Sequence, residues 1–339
     1  MKALSAAFLV PFFLVAFFGN QNPALPDGDE SDLVELGRYL FFDPRLSGDG
    51  SLSCASCHIP SKGWADGEAL STSYPGSEGF RNTKSLLNAS RVDYFYWDGR
   101  LDGSDAETQV RDSITETHFM NMDGRLMLER LKQIPEYVQL FSDALAQEPS
   151  FGGTLKAISA FEKTLVTGAS PFDLQTMSEQ AKQGKKVFDT HCSTCHSGPD
   201  FTDGLPHNLG VPDNPAVFDD PVRHATYRAF IKFLGVPGYM NIRQDVGHYS
   251  VTKRAKDMGA FFTPSLRQVA DTAPYMHNGV LKTLEDVVAF YSARGPALSA
   301  GEQRGLVAFL HALSGPVPVV DEPSLPRYKA IDNWMEVRN

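Results

Sequence analysis

Short amphipathic stretches alternate along the chain with long segments rich in Gly, Pro, Asp and Asn. Leu33, Leu36 and Leu40 recur at helical spacing behind Ser31, which can cap their helix. Ala181, Lys185 and Phe188 form a second stripe behind Ser178. Downstream of each lies another amphipathic run, Leu155 to Phe161 and Leu306 to Leu313, closely followed by Gly168 and Gly315. One unit is thus used twice, with an opening helix, loops and a closing helix, and it predicts a mainly α fold. Small residues and a proline at Thr167-Gly168-Ala169-Ser170-Pro171 mark the boundary between the copies. Residues 207–249 read as long loops, and the proline-rich end with Trp334 reads as an extended tail able to pack back on the first copy.

The chemistry lies at matching places in the two copies. Cys54-Ala55-Ser56-Cys57-His58 and Cys192-Ser193-Thr194-Cys195-His196 use all four cysteines. In C-x-x-C-H, two thiols add across haem vinyl groups and the adjacent histidine reaches the iron. A zinc site built from two C-x-x-C pairs needs no following histidine, and a thioredoxin-like pair does not normally occur twice with histidine next to its second cysteine. The expectation is a dihaem c-type cytochrome of two class I cytochrome c-like domains, residues 30–168 and 169–315. Each holds one covalently attached haem c between crossing first and last helices, and residues 316–339 form the tail.

With 339 residues and 42% apolar content, the chain suits one large or two ordinary domains, and two haems favour two. A net charge of −10 argues against nucleic acid and anionic membrane surfaces, and would steer a basic redox partner. Met1-Lys2 and the apolar run to Phe18 read as a signal peptide over residues 1–19. Periplasmic export fits, because covalent haem is normally attached outside the cytoplasm. No small-x-small pair follows Phe18, so a retained anchor is the alternative, although the run is short for a span. The membrane is a partner only in that case.

Several words recur in order between and after the haem motifs. They are Leu40-Phe41-Phe42-Asp43 with Leu46-Ser47, Arg81-Asn82-Thr83 with Leu87-Asn88-Ala89, and Tyr96-Trp97-Asp98-Gly99-Arg100, then Thr263-Pro264-Ser265-Leu266-Arg267 and Ala273-Pro274-Tyr275-Met276-His277-Asn278-Gly279. Over residues 36–313 the chain resembles the bacterial dihaem cytochrome c peroxidase and MauG superfamily. That resemblance implies that the first haem reacts with hydrogen peroxide, the second transfers electrons, and Trp97 is a redox relay between them; the bland alternative is a core tryptophan, whose apolar area alone would justify burial. It also implies a calcium ion on Asn82 and the backbone oxygens of Thr272 and Pro274, hard donors that suit the ion with water completing the shell.

The sixth iron ligands decide the subtype. Other dihaem peroxidases carry a blocking histidine eight residues before the calcium asparagine. Here Tyr74 stands in that place and no histidine lies between His58 and His118, so the first haem is expected to be open and high-spin, as in MauG. At the second haem, peroxidases use a methionine fourteen residues after the histidine of the Ala-Pro-Tyr-x-His word. Counting from His277 gives Tyr291, and MauG also has tyrosine there. A phenolate lowers the reduction potential relative to thioether sulfur. Met276 and Met258 are alternative ligands.

The resemblance also breaks. Gln109 matches a family glutamine, but Phe119 fills the slot of the distal glutamate. Splitting peroxide needs a base and an acid. His118 is the expected substitute, with Glu116 as second candidate and a surface-loop histidine as the bland alternative. MauG has a surface tryptophan where this chain has Thr190, so its route to a tryptophan-derived cofactor is unsupported, leaving Trp64, Trp334 or Tyr275 to serve a different partner. The leading expectation is an exported enzyme that reduces peroxide with electrons from an external donor, a small cytochrome or copper protein. The alternatives are an oxidase that modifies residues of a partner protein and, from another class, a non-enzymatic electron-transfer cytochrome, which the missing glutamate keeps open. His191, His207, His224, His248 and His311 read as ordinary residues.

Overall fold

A computed structural model describes residues 28–328; the proposed signal segment and Trp334 lie outside them. The first half contains α1 (Gly28–Phe42), α2 (Ala106–Thr115), α3 (Gly124–Lys132), α4 (Pro135–Leu145) and α5 (Phe151–Lys163). The second contains α6 (Glu179–His191), α7 (Pro215–Asp219), α8 (Pro221–Phe233), α9 (Tyr249–Thr252), α10 (Leu284–Arg294) and α11 (Ala300–His311). Two short antiparallel pairs complete the regular structure, β1 (Tyr94–Phe95) with β2 (Leu101–Asp102) and β3 (Pro206–His207) with β4 (Phe261–Phe262). Among the described residues no helix is long and apolar enough to cross a membrane.

The helix pairs follow from the apolar stripes. Leu36, Leu40 and Phe41 of α1 are fully enclosed with Ile158 and Phe161 of α5, each such side chain contributing about 1.5–3 kcal/mol. The helix starts at Gly28, so Ser31 lies inside it instead of capping it. Ser178 does cap α6, its Oγ accepting from the Ala181 N–H at 3.1 Å. The buried face of α6 is Ala181, Gly184 and Phe188. Lys185 belongs to the outer face instead, with Nζ 2.6 Å from Asp189.

Both crossings pass through glycine. A Cβ on Gly37 would collide with the Ala157 carbonyl of α5, and one on Gly184 would collide with the Gly305 carbonyl of α11. Gly184→Leu is therefore expected to destabilise the second half by at least about 1–3 kcal/mol, the usual overpacking cost. Denaturant unfolding of the haem-loaded protein checks it; an unchanged midpoint would mean that the crossing tolerates separation.

Three apolar clusters support this frame. The first gathers α1 to α5 around Trp64 and takes Val317, Val320 and Leu325 of the tail against its side. The second gathers Phe188, Phe201, Leu284 and Phe309. The third, around Tyr227, Phe230 and Ile231, corrects the reading of residues 207–249 as loops. Asp220 caps α8 through the N–H groups of Val222 and Arg223, and Pro221 begins the helix. The apolar face of α8 meets Phe80, distant in sequence, which places this element against the first half.

Candidate functional site

The two cysteine words fold alike. The His58 N–H donates to the Cys54 carbonyl and the His196 N–H to the Cys192 carbonyl, each at 2.9 Å. His58 Nδ1 then lies 3.0 Å from the Trp64 carbonyl and His196 Nδ1 3.0 Å from the Phe201 carbonyl. Trp64 and Phe201 both adopt left-handed backbone, with φ of 58° and 54°, so the two brackets are built in the same way. Because a carbonyl only accepts, Nδ1 carries the proton and Nε2 keeps its lone pair for a metal. Burial pushes both imidazoles below the usual histidine range.

None of the four cysteines is in a disulfide. Burial pushes Cys57 up to about 12 and Cys192 up to about 11, and raises Cys54 and Cys195 as well. All four, with both histidines, line one cavity of about 770 Å³. The donor set and the space fit two covalently attached haems.

Trp97 forms part of the same wall. Its Nε1 donates to the Asn82 carbonyl at 2.9 Å, and its own carbonyl accepts from Phe262 N–H at 3.0 Å. Below it is a buried ionic frame missed by the sequence reading. Arg81 binds Asp245 through two nitrogens, at 2.7 and 2.8 Å, and Asp98 through a third, at 2.7 Å. Burial opposes ionisation of Asp98, but Arg100 and Arg81 outweigh it and hold the carboxyl at about 2. His248, read as ordinary, is buried with Nδ1 2.7 Å from the Asp98 carbonyl. Arg81 and Asp98 stood in recognised words, whereas nothing marked Asp245. Lys84, also missed, brings Nζ to 5.3 Å from the Trp97 ring centre; burial pushes its ammonium down to about 8.

The distal residues come from the end of α2. Asp105 caps this helix, Gln109 Nε2 donates to Ser113 Oγ at 3.0 Å, and Glu116 leaves helical conformation. The following turn carries His118 and Phe119 to the cavity wall. His118 is buried among the rings of Phe80, Phe119 and Phe230, so it is not a surface-loop residue. Its Nε2 lies 3.2 Å from Glu116 Oε2. Burial, aided by Arg100 and Arg81, pushes His118 down to about 3, while burial pushes Glu116 up to about 7. A neutral imidazole beside a carboxyl that titrates near neutrality can accept one proton and deliver another.

Tyr291 lies on α10 and lines the cavity; burial, then Cys192 and Cys195, push its phenol up to about 12. It therefore faces the second cysteine pair. Met258 and Met276 also line the cavity. Tyr74 packs against Gly48 and is not part of the cavity wall. Asn82, Thr272 and Pro274 all line the cavity, and Asn82 Nδ2 donates to the Glu68 carbonyl at 2.8 Å. Thr190 Oγ1 bonds back to Lys186 on the exposed face of α6. Trp64 is fully enclosed and offers no surface to a partner, and Tyr275 Oη is tied to the Val269 carbonyl at 3.0 Å.

Residues 31–182 match the family model described as di-haem cytochrome c peroxidase. The chain is 46% identical over 324 residues to cytochrome-c peroxidase IdrP2 of Denitromonas iodatirespirans, covering 90% of this chain and 88% of that one. It is 35% identical to methylamine utilization protein MauG of Methylorubrum extorquens, covering 90% and 83%. Among solved structures, a MauG-like protein associated with microbial copper homeostasis superposes with a TM-score of 0.71 at 27% identity, covering 87% and 96%.

Proposed function

The chain belongs to the di-haem cytochrome c peroxidase family, and from that premise we propose a periplasmic enzyme that reduces hydrogen peroxide at a haem on His58, with electrons drawn from an external redox donor through Trp97 and a second haem on His196 and Tyr291. The observation that carries the reading is the pair of matched histidine brackets facing one cavity with Trp97 in its wall. Haem supplies, when bound, a redox-active iron to which peroxide oxygen can bind.

The protein supplies attachment, protons and a path. Cys54 and Cys57 attach the first group and Cys192 and Cys195 the second. Reducing peroxide to two waters consumes two electrons and two protons. Neutral His118 takes the proton from the attacking peroxide oxygen, and Glu116, 3.2 Å behind it, holds the proton destined for the leaving oxygen. This pair is what a purely electron-relaying cytochrome would not need. Gln109 is fixed by Ser113 and orients the substrate from the cavity wall. Calcium at Asn82, Thr272 and Pro274 would brace the Trp97 region through the Asn82 carbonyl.

With its carboxyl raised to about 7, Glu116 holds its proton below that pH and loses it above. Peroxide turnover, followed as kcat/KM with a small reducing dye, should therefore fall above about pH 7, and Glu116→Gln should remove that limb. A parent-like limb in the variant would take Glu116 out of the proton path. The donor is a small cytochrome or copper protein in preference to a protein to be modified, because Thr190 and enclosed Trp64 provide no oxidisable surface side chain at their positions.

A further inference from the structure

We propose that Lys84 governs where oxidising equivalents rest, by keeping a positive charge against the face of Trp97 so that the indole passes an electron without remaining oxidised. The inference rests on the relay reading of Trp97.

Lys84 Nζ lies 5.3 Å from the Trp97 ring centre, within cation–π range. Both residues line the cavity, and Lys84 Nζ has no hydrogen-bond or ion-pair partner among the described residues. The Asp98 carboxylate acts on the ammonium only from beyond ion-pair distance, so the charge is also exerted on the nearby indole. The other end of the ring decides the consequence. Trp97 Nε1 donates to the Asn82 carbonyl at 2.9 Å, and an amide carbonyl is too weak a base to take the indole proton. When peroxide takes two electrons and two protons to give two waters, with one electron from Trp97 and the other from the bound cofactor, the indole is left as a radical cation. Two positive charges then face each other in a poorly solvated wall, and repulsion at this distance is large enough to matter. The electron is promptly replaced from the donor side.

The test uses the haem-loaded enzyme, one equivalent of peroxide, rapid freezing and electron paramagnetic resonance. Lys84→Met keeps the apolar stem and removes the charge, whereas Lys84→Arg keeps the charge. Lys84→Met should accumulate a tryptophan-centred radical at least tenfold above the parent, Lys84→Arg should resemble the parent, and Lys84→Met with Trp97→Phe should lose the signal. A parent-like signal in Lys84→Met, with a native resting haem spectrum, would overturn the role of Lys84 while a slow Trp97→Phe enzyme left the relay standing. Parent-like electron delivery in Trp97→Phe would overturn the relay and the inference with it.

Discussion

Replacing His118 with alanine is expected to slow peroxide consumption roughly 10²-fold or more, the contribution usual for a positioned acid–base group. The size follows from its isolation. Phe119 occupies the neighbouring position and is chemically inert, and Glu116 does not line the cavity itself but stands behind the imidazole, 3.2 Å from its Nε2. Because the alanine leaves a void among three aromatic rings, His118→Gln is the companion variant, filling the space and offering no useful base. Both should lose the fast reaction while keeping two haems by pyridine haemochrome absorption. A rate within a few-fold of the parent in His118→Gln would remove the imidazole from the chemistry.

The second large effect is expected at α10. On the proposed ligation by Tyr291, Tyr291→Met exchanges a hard anionic oxygen for a thioether at the second haem, which favours reduced iron. The midpoint potential of that haem should rise by about 100 mV or more, well inside the ~0.8 V range that axial ligands span. Spectroelectrochemical titration measures it, with the first haem as internal reference. An unchanged potential would mean that Met258 or Met276, both on the cavity wall, already holds the iron.

Much of this arrangement was legible in the chain because local rules govern it. The cysteine words identify their own ligands, and the opening and closing helices announce themselves by apolar spacing and by Ser178. Where reading failed, a distant partner set the structure. Helix α8 lies in a stretch whose composition suggested loops, and its apolar face becomes intelligible only once Phe80 is placed against it. Lys185 fell at the right spacing for a core stripe, yet the crossing with Gly305 requires Gly184 inward, which turns Lys185 outward. The site shows the same division. His118 and Glu116 were candidates from their neighbourhood alone, but their mutual contact comes from the turn that ends α2. Asp245 carries no motif, since its role arises from pairing with an arginine far away in sequence.

The most direct test mixes the fully ferric, haem-loaded protein with one equivalent of hydrogen peroxide and follows the haem absorption by stopped flow. Tyr74, which stands in the place of the blocking histidine, packs away from the cavity wall, and on the proposed open first haem a rapid spectral change is expected without prior reduction. Silence until one electron has been supplied would contradict an open first haem. Silence in both states would contradict peroxide chemistry at this site altogether.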